Sequence, residues 1–181
     1  MIYAALLRGI NVGGNSKVDM KQLKAAFEKA GIESVKTYIN SGNIIFSDEK
    51  HGHAALAPLL EKVIKKEFGF EVRVVVRSFP EMKKIASKIP ESWKNDTEQK
   101  CDVMYLWKEA DSKSVLNQLV LKHGIDDDVV YVKGAIIWRV DRGKVTRSGL
   151  LKLVGTPLYK NMTIRNCNTA RKLVELMKTA K

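Results

Sequence analysis

The order of the apolar segments in the first half of the chain constrains its fold more than any other feature. Residues 2–8 are a continuous apolar run, typical of a strand buried on both faces. Asp19 then starts a helix that Gly31 ends. Two strands joined by a tight turn, a second helix and a valine-rich strand follow, over residues 34–39, 43–47, 56–64 and 71–77. This β-α-β-β-α-β order predicts a ferredoxin-like unit.

The second half of the chain repeats part of this pattern. The polar stretch Glu91–Gln99 is the best boundary, which predicts one subdomain over residues 1–90 and another over 91–181. Beyond it we predict strands over 101–107, 128–133 and 135–140, and helices over 112–122, 146–153 and 167–179. The fold class is therefore α+β: a ferredoxin-like N-terminal subdomain and a second, smaller α+β subdomain with basic C-terminal helices.

Charge is concentrated near the C-terminus. The chain carries 32 Lys and Arg against 20 Asp and Glu, a net charge of +12. Residues 139–181 contain 11 of those cations and only two carboxylates. Such asymmetry favours a partner rich in phosphate, either nucleic acid or a phosphorylated small molecule, over a uniformly solubilising surface. The predicted basic patch consists of Lys144, Arg147, Lys152, Lys160 and Arg165.

Two further features of this region are typical of nucleic-acid binding. Trp138 and Tyr159 could supply faces on which bases stack. Arg165 precedes the last helix, which Thr163 or Asn166 could cap, so we expect it beside a helix N-terminus. The alternative is a capped helix with a solvated basic face.

The loop after the first strand has the composition of an anion site. Residues 8–17 contain three glycines, two asparagines and two cations, and they precede a helix. Glycine lets backbone N–H groups face a ligand, and a helix N-terminus adds partial positive charge. In the predicted topology this loop lies beside the turn at residues 40–43. The candidate ligand-binding residues are Arg8, Asn11, Gly13, Gly14, Asn15, Lys17, Asn40, Ser41 and Asn43. The alternative is that these glycines and asparagines only form turns.

No cofactor and no metal site is predicted, because the histidines lack partners at ligand spacing. Cys101 and Cys167 are far apart in sequence and form no CxxC motif, which is typical of reduced cytoplasmic thiols. We interpret Cys101 as a small buried hydrophobe. No apolar run reaches the length of a membrane span, and the first one is too short for a signal peptide. We therefore expect a soluble cytoplasmic protein with no membrane partner.

Three motifs resemble those of a bacterial family, domain of unknown function 1697. They are residues 3–14 (YAALLRGINVGG), 37–43 (TYINSGN) and 163–169 (TIRNCNT). The family usually has glutamine at the position of Asn40 and an aromatic residue at that of Cys167. The resemblance implies a ferredoxin-like α+β architecture with a second α+β subdomain, and it implies no activity.

Three functions are compatible with these patterns. We favour binding of nucleic acid or another phosphate-bearing ligand. The alternatives are an enzyme acting on a phosphorylated or carboxylated metabolite, or a module that binds another protein. No convincing general base accompanies the glycine loop, which counts against the enzyme.

Overall fold

Two four-stranded antiparallel sheets with helices make up the protein, a mixed α+β fold. The computed structural model describes residues 1–13, 16–126 and 128–180. The chain divides into two units by its internal contacts, Met1–Met82 together with Leu173–Lys181, and Lys83–Lys172. The proposed subdomain boundary after residue 90 stays a prediction. Among the described residues, no helix has the length and apolarity that a bilayer crossing requires.

The first unit contains strands and α-helices in mixed order, whereas strands outnumber α-helices in the second. In chain order they are β1 (Ile2–Leu7), α1 (Met20–Lys29), β2 (Glu33–Tyr38), β3 (Asn43–Ser47), α2 (His53–Phe68), β4 (Val74–Ser78), α3 (Phe79–Ala86), β5 (Gln99–Leu106), β6 (Asp128–Val132), β7 (Ala135–Asp141), α4 (Pro157–Lys160), β8 (Met162–Asn166) and α5 (Cys167–Lys178).

The first sheet has the strand order β2-β3-β1-β4, and every neighbouring pair is antiparallel. Helix α1 connects β1 to β2, and α2 connects β3 to β4. Alternate residues of the central strand β1 belong to one core with both helices, because side chains on a strand alternate between its faces. That core includes Ala5 of β1, Leu23 and Phe27 of α1, and Leu60 of α2.

The second sheet has the order β6-β7-β5-β8, so β5 takes the central place that β1 has in the first sheet. The predicted strands over 101–107, 128–133 and 135–140 are confirmed as β5, β6 and β7 within two residues at each end. The final helix is confirmed as α5.

The helices predicted over 112–122 and 146–153 are wrong. The structure has shorter 3₁₀ helices instead, Lys113–Gln118, Arg142–Arg147 and Gly149–Leu153. The carboxylate of Asp126 accepts hydrogen bonds from the backbone N–H groups of Lys122 (3.0 Å) and Gly149 (2.7 Å). The first bond joins residues four positions apart and the second joins residues 23 apart, and both satisfy an N–H with a side chain instead of the backbone carbonyl of a helix.

Strand β8 was not predicted. Its sequence, Met-Thr-Ile-Arg-Asn, was interpreted as the approach to the last helix, but it pairs antiparallel with β5. Val103 lies opposite Arg165 in this pairing. A five-residue segment with three polar side chains has little strand signal of its own, so only its partner reveals it.

Candidate functional site

The loop after β1 and the turn between β2 and β3 meet at one edge of the first sheet. The amide Nδ2 of Asn11 donates to the carbonyl oxygens of Asn40 at 2.8 Å and Val18 at 3.0 Å. The Oδ1 of Asn11 accepts from the Val18 N–H at 2.8 Å. The prediction that the topology brings these two loops together is therefore confirmed.

Gly42 packs the turn directly against β1. The N–H of Leu7 donates to the Gly42 carbonyl at 2.8 Å. Gly42 has φ +76°, and a Cβ added there would lie 2.7 Å from the Leu7 Cβ and 2.9 Å from Cδ1 of Ile10. Both the backbone angle and the space exclude a side chain at this position.

The side chain of Asn43 stabilises the same turn from inside. Asn43 is fully buried, and its Nδ2 donates to the Tyr38 carbonyl at 3.1 Å and to Ser41 Oγ at 2.9 Å. Asn11 and Asn43, both predicted to bind a ligand, thus use side-chain atoms to hold the loops together. Their described contacts support the turn-forming interpretation for these two residues.

A cleft of about 560 Å³ lies where the two loops meet. It is lined by Asn11, Lys17, Val18, Asp19, Met20 and Asn40. Lys17 is exposed and brings a positive charge to its wall. The predicted residues Asn11, Lys17 and Asn40 are brought together here.

Three lining residues were missed from the sequence: Val18, Asp19 and Met20. Asp19 was recognised as the residue that starts α1, and its Oδ1 does accept from the Gln22 N–H at 2.8 Å. The sequence already contained a signal that could have placed these three residues in the site. A helix that begins directly after a ligand-binding loop presents its first turn to the same ligand.

Four other predicted residues, Arg8, Gly13, Ser41 and Asn43, are not in the cleft wall. Arg8 is half-buried, and its N–H donates to the Arg73 carbonyl at 3.0 Å. Ser41 is exposed, and Gly13 has φ +64° with open space around its Cα. Gly14 and Asn15 lie outside the described residues.

Exposed aliphatic side chains flank the cleft residues. Val12 follows Asn11 and is 69% exposed, and Ile39 precedes Asn40 and is 50% exposed. Ile39 also has φ +49°, a left-handed conformation that is unfavourable for a β-branched residue. Backbone strain of this kind persists where the surrounding structure imposes it, often at functional sites.

Arg165 does not belong to an exposed patch. It lies in β8, and only 7% of its surface is exposed. Its Nη1 donates to Thr163 Oγ1 at 3.0 Å and to the Ile164 carbonyl at 2.8 Å. Burial lowers the pKa of its guanidinium to about 10. Arg165, which we expected beside the N-terminus of the last helix, is thus a strand residue whose charged group is buried.

The other four residues of the predicted patch differ in their surroundings. Lys144 forms an ion pair with Asp141 at 3.1 Å, whereas Arg147, Lys152 and Lys160 are exposed. A neighbouring cation is also paired internally. Arg139 contacts Asp141 at 2.6 Å.

The proposed stacking face at Trp138 is not available. Its side chain is fully buried, and its indole N–H donates to Asp126 at 3.3 Å. Within residues 1–13, 16–126 and 128–180, no group of three or more His, Cys, Asp or Glu side chains is placed to hold a metal ion.

Comparison with known proteins identifies relatives of this chain. The profile of the family described as "protein of unknown function (DUF1697)" matches residues 1–138. The solved structure of the conserved bacterial protein SP0830 from Streptococcus pneumoniae is 30% identical in sequence and superimposes with a TM-score of 0.82. That match covers 97% of this chain and 98% of the other. No curated protein matches.

Proposed function

Because the chain belongs to the DUF1697 family of proteins of unknown function, we propose its function from the site itself: the first unit binds a phosphate-bearing small molecule. The observation that carries the proposal is the cleft of about 560 Å³ between the two loops, with the exposed Lys17 in its wall. That volume is within the range of small-molecule sites.

The chemistry of the wall favours an anion with an apolar part. Lys17 offers positive charge to a phosphate, beside the N-terminus of α1, where Asp19 caps the Gln22 N–H. Met20 in the wall and the neighbouring Val12 and Ile39 offer apolar contacts. A nucleotide or another phosphorylated metabolite combines these properties.

We propose binding rather than catalysis at this cleft. The carboxylate in its wall, Asp19, already accepts the hydrogen bond that caps α1. A general base needs a free lone pair directed at the substrate, and capping engages one oxygen of this carboxylate and stabilises its charge.

We also propose a ferredoxin-like fold for the first unit and a cytoplasmic location for the protein. The element order β1-α1-β2-β3-α2-β4 and the strand order β2-β3-β1-β4 support a ferredoxin-like first unit. The free thiols Cys101 and Cys167 support a reducing compartment such as the cytoplasm.

Ligand-induced thermal stabilisation tests the proposal. The probes are inorganic phosphate, a nucleoside monophosphate and the corresponding uncharged nucleoside. At a ligand concentration about 100 times Kd, a phosphate-bearing ligand stabilises the folded state by about 2.7 kcal/mol. We expect Lys17→Gln to remove most of that stabilisation.

The matched control is Lys29→Gln, which removes the same charge from the opposite end of α1. It should leave the ligand-induced shift unchanged. No stabilisation by any phosphate-bearing probe would reject the proposal, as would equal stabilisation in both variants. Equal shifts from the nucleoside and its monophosphate would show that the phosphate is not recognised.

A second candidate function is binding of nucleic acid by the second unit. The sequence of Lys83–Lys172 holds 18 Lys and Arg against 10 Asp and Glu, and so carries +8 of the net charge of +12. Arg147, Lys152 and Lys160 are its exposed members of the predicted patch. A polyanion bound there should dissociate steeply with added salt.

A further inference from the structure

The two cysteines of the chain meet in the second unit. In the pairing of β5 with β8, Asp102 lies opposite Asn166. The next residues outward are Cys101 in β5 and Cys167, the first residue of α5, and their side chains lie close enough to influence each other's ionisation. Asp102 and Asn166 are the last pair of this ladder, and each cysteine follows one of them directly, which brings the two cysteines together at the end of the pairing. A disulfide needs Cα atoms ~4.4–6.8 Å apart. The Cys167 thiol donates to the Trp93 carbonyl at 3.8 Å and to Asn168 Oδ1 at 3.5 Å, and a disulfide would replace these two long contacts.

A positively charged residue lies beside this pair. Nη1 of Arg171 is 3.7 Å from the Sγ of Cys167, one turn along α5. The same guanidinium donates to the carbonyl oxygens of Trp93 at 2.9 Å and Pro90 at 2.8 Å, which holds that segment beside the thiol. Both cysteines are fully buried. A cation in contact with a buried sulfur is the environment of a thiolate rather than of an inert hydrophobic thiol.

The two thiols have different protonation preferences. The neighbouring Cys101 thiol and the charge of Arg171 lower the pKa of Cys167, although burial and Asp102 oppose the shift. The interaction with Cys167, together with burial, raises the pKa of Cys101. Because the guanidinium of Arg171 contacts the sulfur of Cys167, we assign Cys167 as the nucleophile of the pair.

We propose that Cys101 and Cys167 form a peroxide-reactive dithiol that oxidises reversibly to an intrachain disulfide. The thiolate of Cys167 attacks one oxygen of hydrogen peroxide, the O–O bond breaks, and hydroxide leaves. The Cys101 sulfur then attacks the resulting sulfenic acid. The S–S bond forms, the S–O bond breaks, and the proton of Cys101 leaves with the second oxygen as water. The pair loses two electrons, and peroxide is reduced to one water and one hydroxide, which takes up a proton from the solvent to become the second water.

Neither a metal nor an external partner is needed to explain the pair. The described residues contain no cluster of three metal-ligating side chains. Peroxide is small enough to reach a buried sulfur through local opening of the chain, whereas larger reagents need more extensive exposure. A small dithiol such as dithiothreitol should reverse the reaction by thiol–disulfide exchange.

The test is oxidation of the whole wild-type protein with hydrogen peroxide. After quenching, free thiols are alkylated under denaturing conditions, and peptides are mapped by mass spectrometry without reduction. We expect loss of both thiols, a peptide pair linked through Cys101 and Cys167, and full recovery with dithiothreitol. Survival of both thiols would overturn the proposal, and so would linkage between two chains or irreversible oxidation of Cys167 without linkage.

Two variants assign the roles of the sulfurs. In Cys101→Ala the reaction should stop at a sulfenic acid on Cys167, which dimedone traps. In Cys167→Ala the remaining Cys101 thiol should react with peroxide at least about tenfold more slowly, since its burial still favours the protonated thiol. Equal rates in the two variants would contradict the assignment of the nucleophile. Circular dichroism verifies that each variant folds. If either variant does not fold, the peptide mapping of the oxidised wild-type protein decides the proposal.

Discussion

Gly42 shows at the scale of one residue how the candidate site is held in place. Its φ of +76° and the 2.7 Å approach to Leu7 leave no room for a Cβ. Gly69 has a similar φ of +80° but nothing within 4 Å of the same position. The two glycines therefore separate the cost of backbone strain from the cost of overpacking.

We predict that Gly42→Ala destabilises the protein more than Gly69→Ala. The strain of a positive φ should cost ~1 kcal/mol in each variant, and overpacking should add about 1–3 kcal/mol at residue 42 alone. Urea unfolding monitored by circular dichroism measures both free energies of unfolding. If the two variants lose the same amount, the turn is not packed against β1 as the structure has it.

Asp48 is a buried carboxylate with a pH-dependent contribution to stability. Burial opposes its ionisation, but hydrogen bonds from the ring and backbone of His51 and from the Lys50 N–H outweigh it and lower the pKa of Asp48. A lowered pKa in the folded state means that the stabilisation is present above the ordinary value of 3.8 and is lost as pH falls through the folded-state value.

We predict that Asp48→Asn lowers the free energy of unfolding by about 1–3 kcal/mol at neutral pH. The difference from wild type should shrink below pH 3.8, where the wild-type carboxylate takes up its proton. Urea titrations across the acid range measure it. Glu49→Gln, which removes the same charge from an exposed neighbour, should have little effect. If the difference in free energy of unfolding between variant and wild type stayed constant into the acid range, the charge of Asp48 would not be what stabilises the protein.

At the scale of elements, Asp126 organises the segments around the 3₁₀ helices of the second unit. Its two oxygens accept hydrogen bonds from the N–H groups of Lys122 and Gly149, from the Ser148 hydroxyl and from the indole of Trp138. Four donors converge on one buried carboxylate, so both of its oxygens are needed.

We predict that Asp126→Asn destabilises the protein by about 2–4 kcal/mol, because the new amide group faces donors and leaves at least one of them unsatisfied. Asp19→Asn is the matched control. One oxygen of Asp19 accepts the capping hydrogen bond, and asparagine caps helices equally well. Thermal unfolding of both variants provides the comparison. Similar melting temperatures would show that the carboxylate does not hold these segments together.

At the scale of the whole molecule, the charge of +12 is less available to a ligand than the sequence suggests. Arg165 is buried, and Lys144 and Arg139 are paired with Asp141. Exposed cations such as Arg147 and Lys152 remain as candidates for contact with a polyanion.

We predict that the double variant Arg147→Gln and Lys152→Gln weakens binding to single-stranded nucleic acid. Each lost phosphate contact should reduce the slope of log affinity against log salt by about 0.7. Lys62→Gln and Lys66→Gln in α2 remove the same charge from exposed positions in the first unit. Filter binding at several salt concentrations measures the slopes. If the two double variants give equal slopes, the polyanion does not bind at the predicted patch.

Local patterns in the sequence determined most of the first unit. The stripe of Leu23 and Phe27 identified α1, and the Asn40-Ser41-Gly42 turn identified the β2–β3 hairpin. The meeting of the loops could be predicted because the order of strands and helices restricts the possible topologies. The predicted topology placed Asn11 beside Asn40, and the hydrogen bond between these two residues confirms that placement.

Tertiary contacts alone decided the rest. Asp126 binds the first N–H of the 3₁₀ helix Gly149–Leu153. Strand β8 exists through its pairing with β5, and Arg165 is buried because β8 carries it inward. Cys101 and Cys167 are neighbours for the same reason, although 65 residues separate them in the chain. Periodicity reports on residues within a few positions of each other, whereas burial, pairing and protonation depend on which distant segments the fold brings into contact.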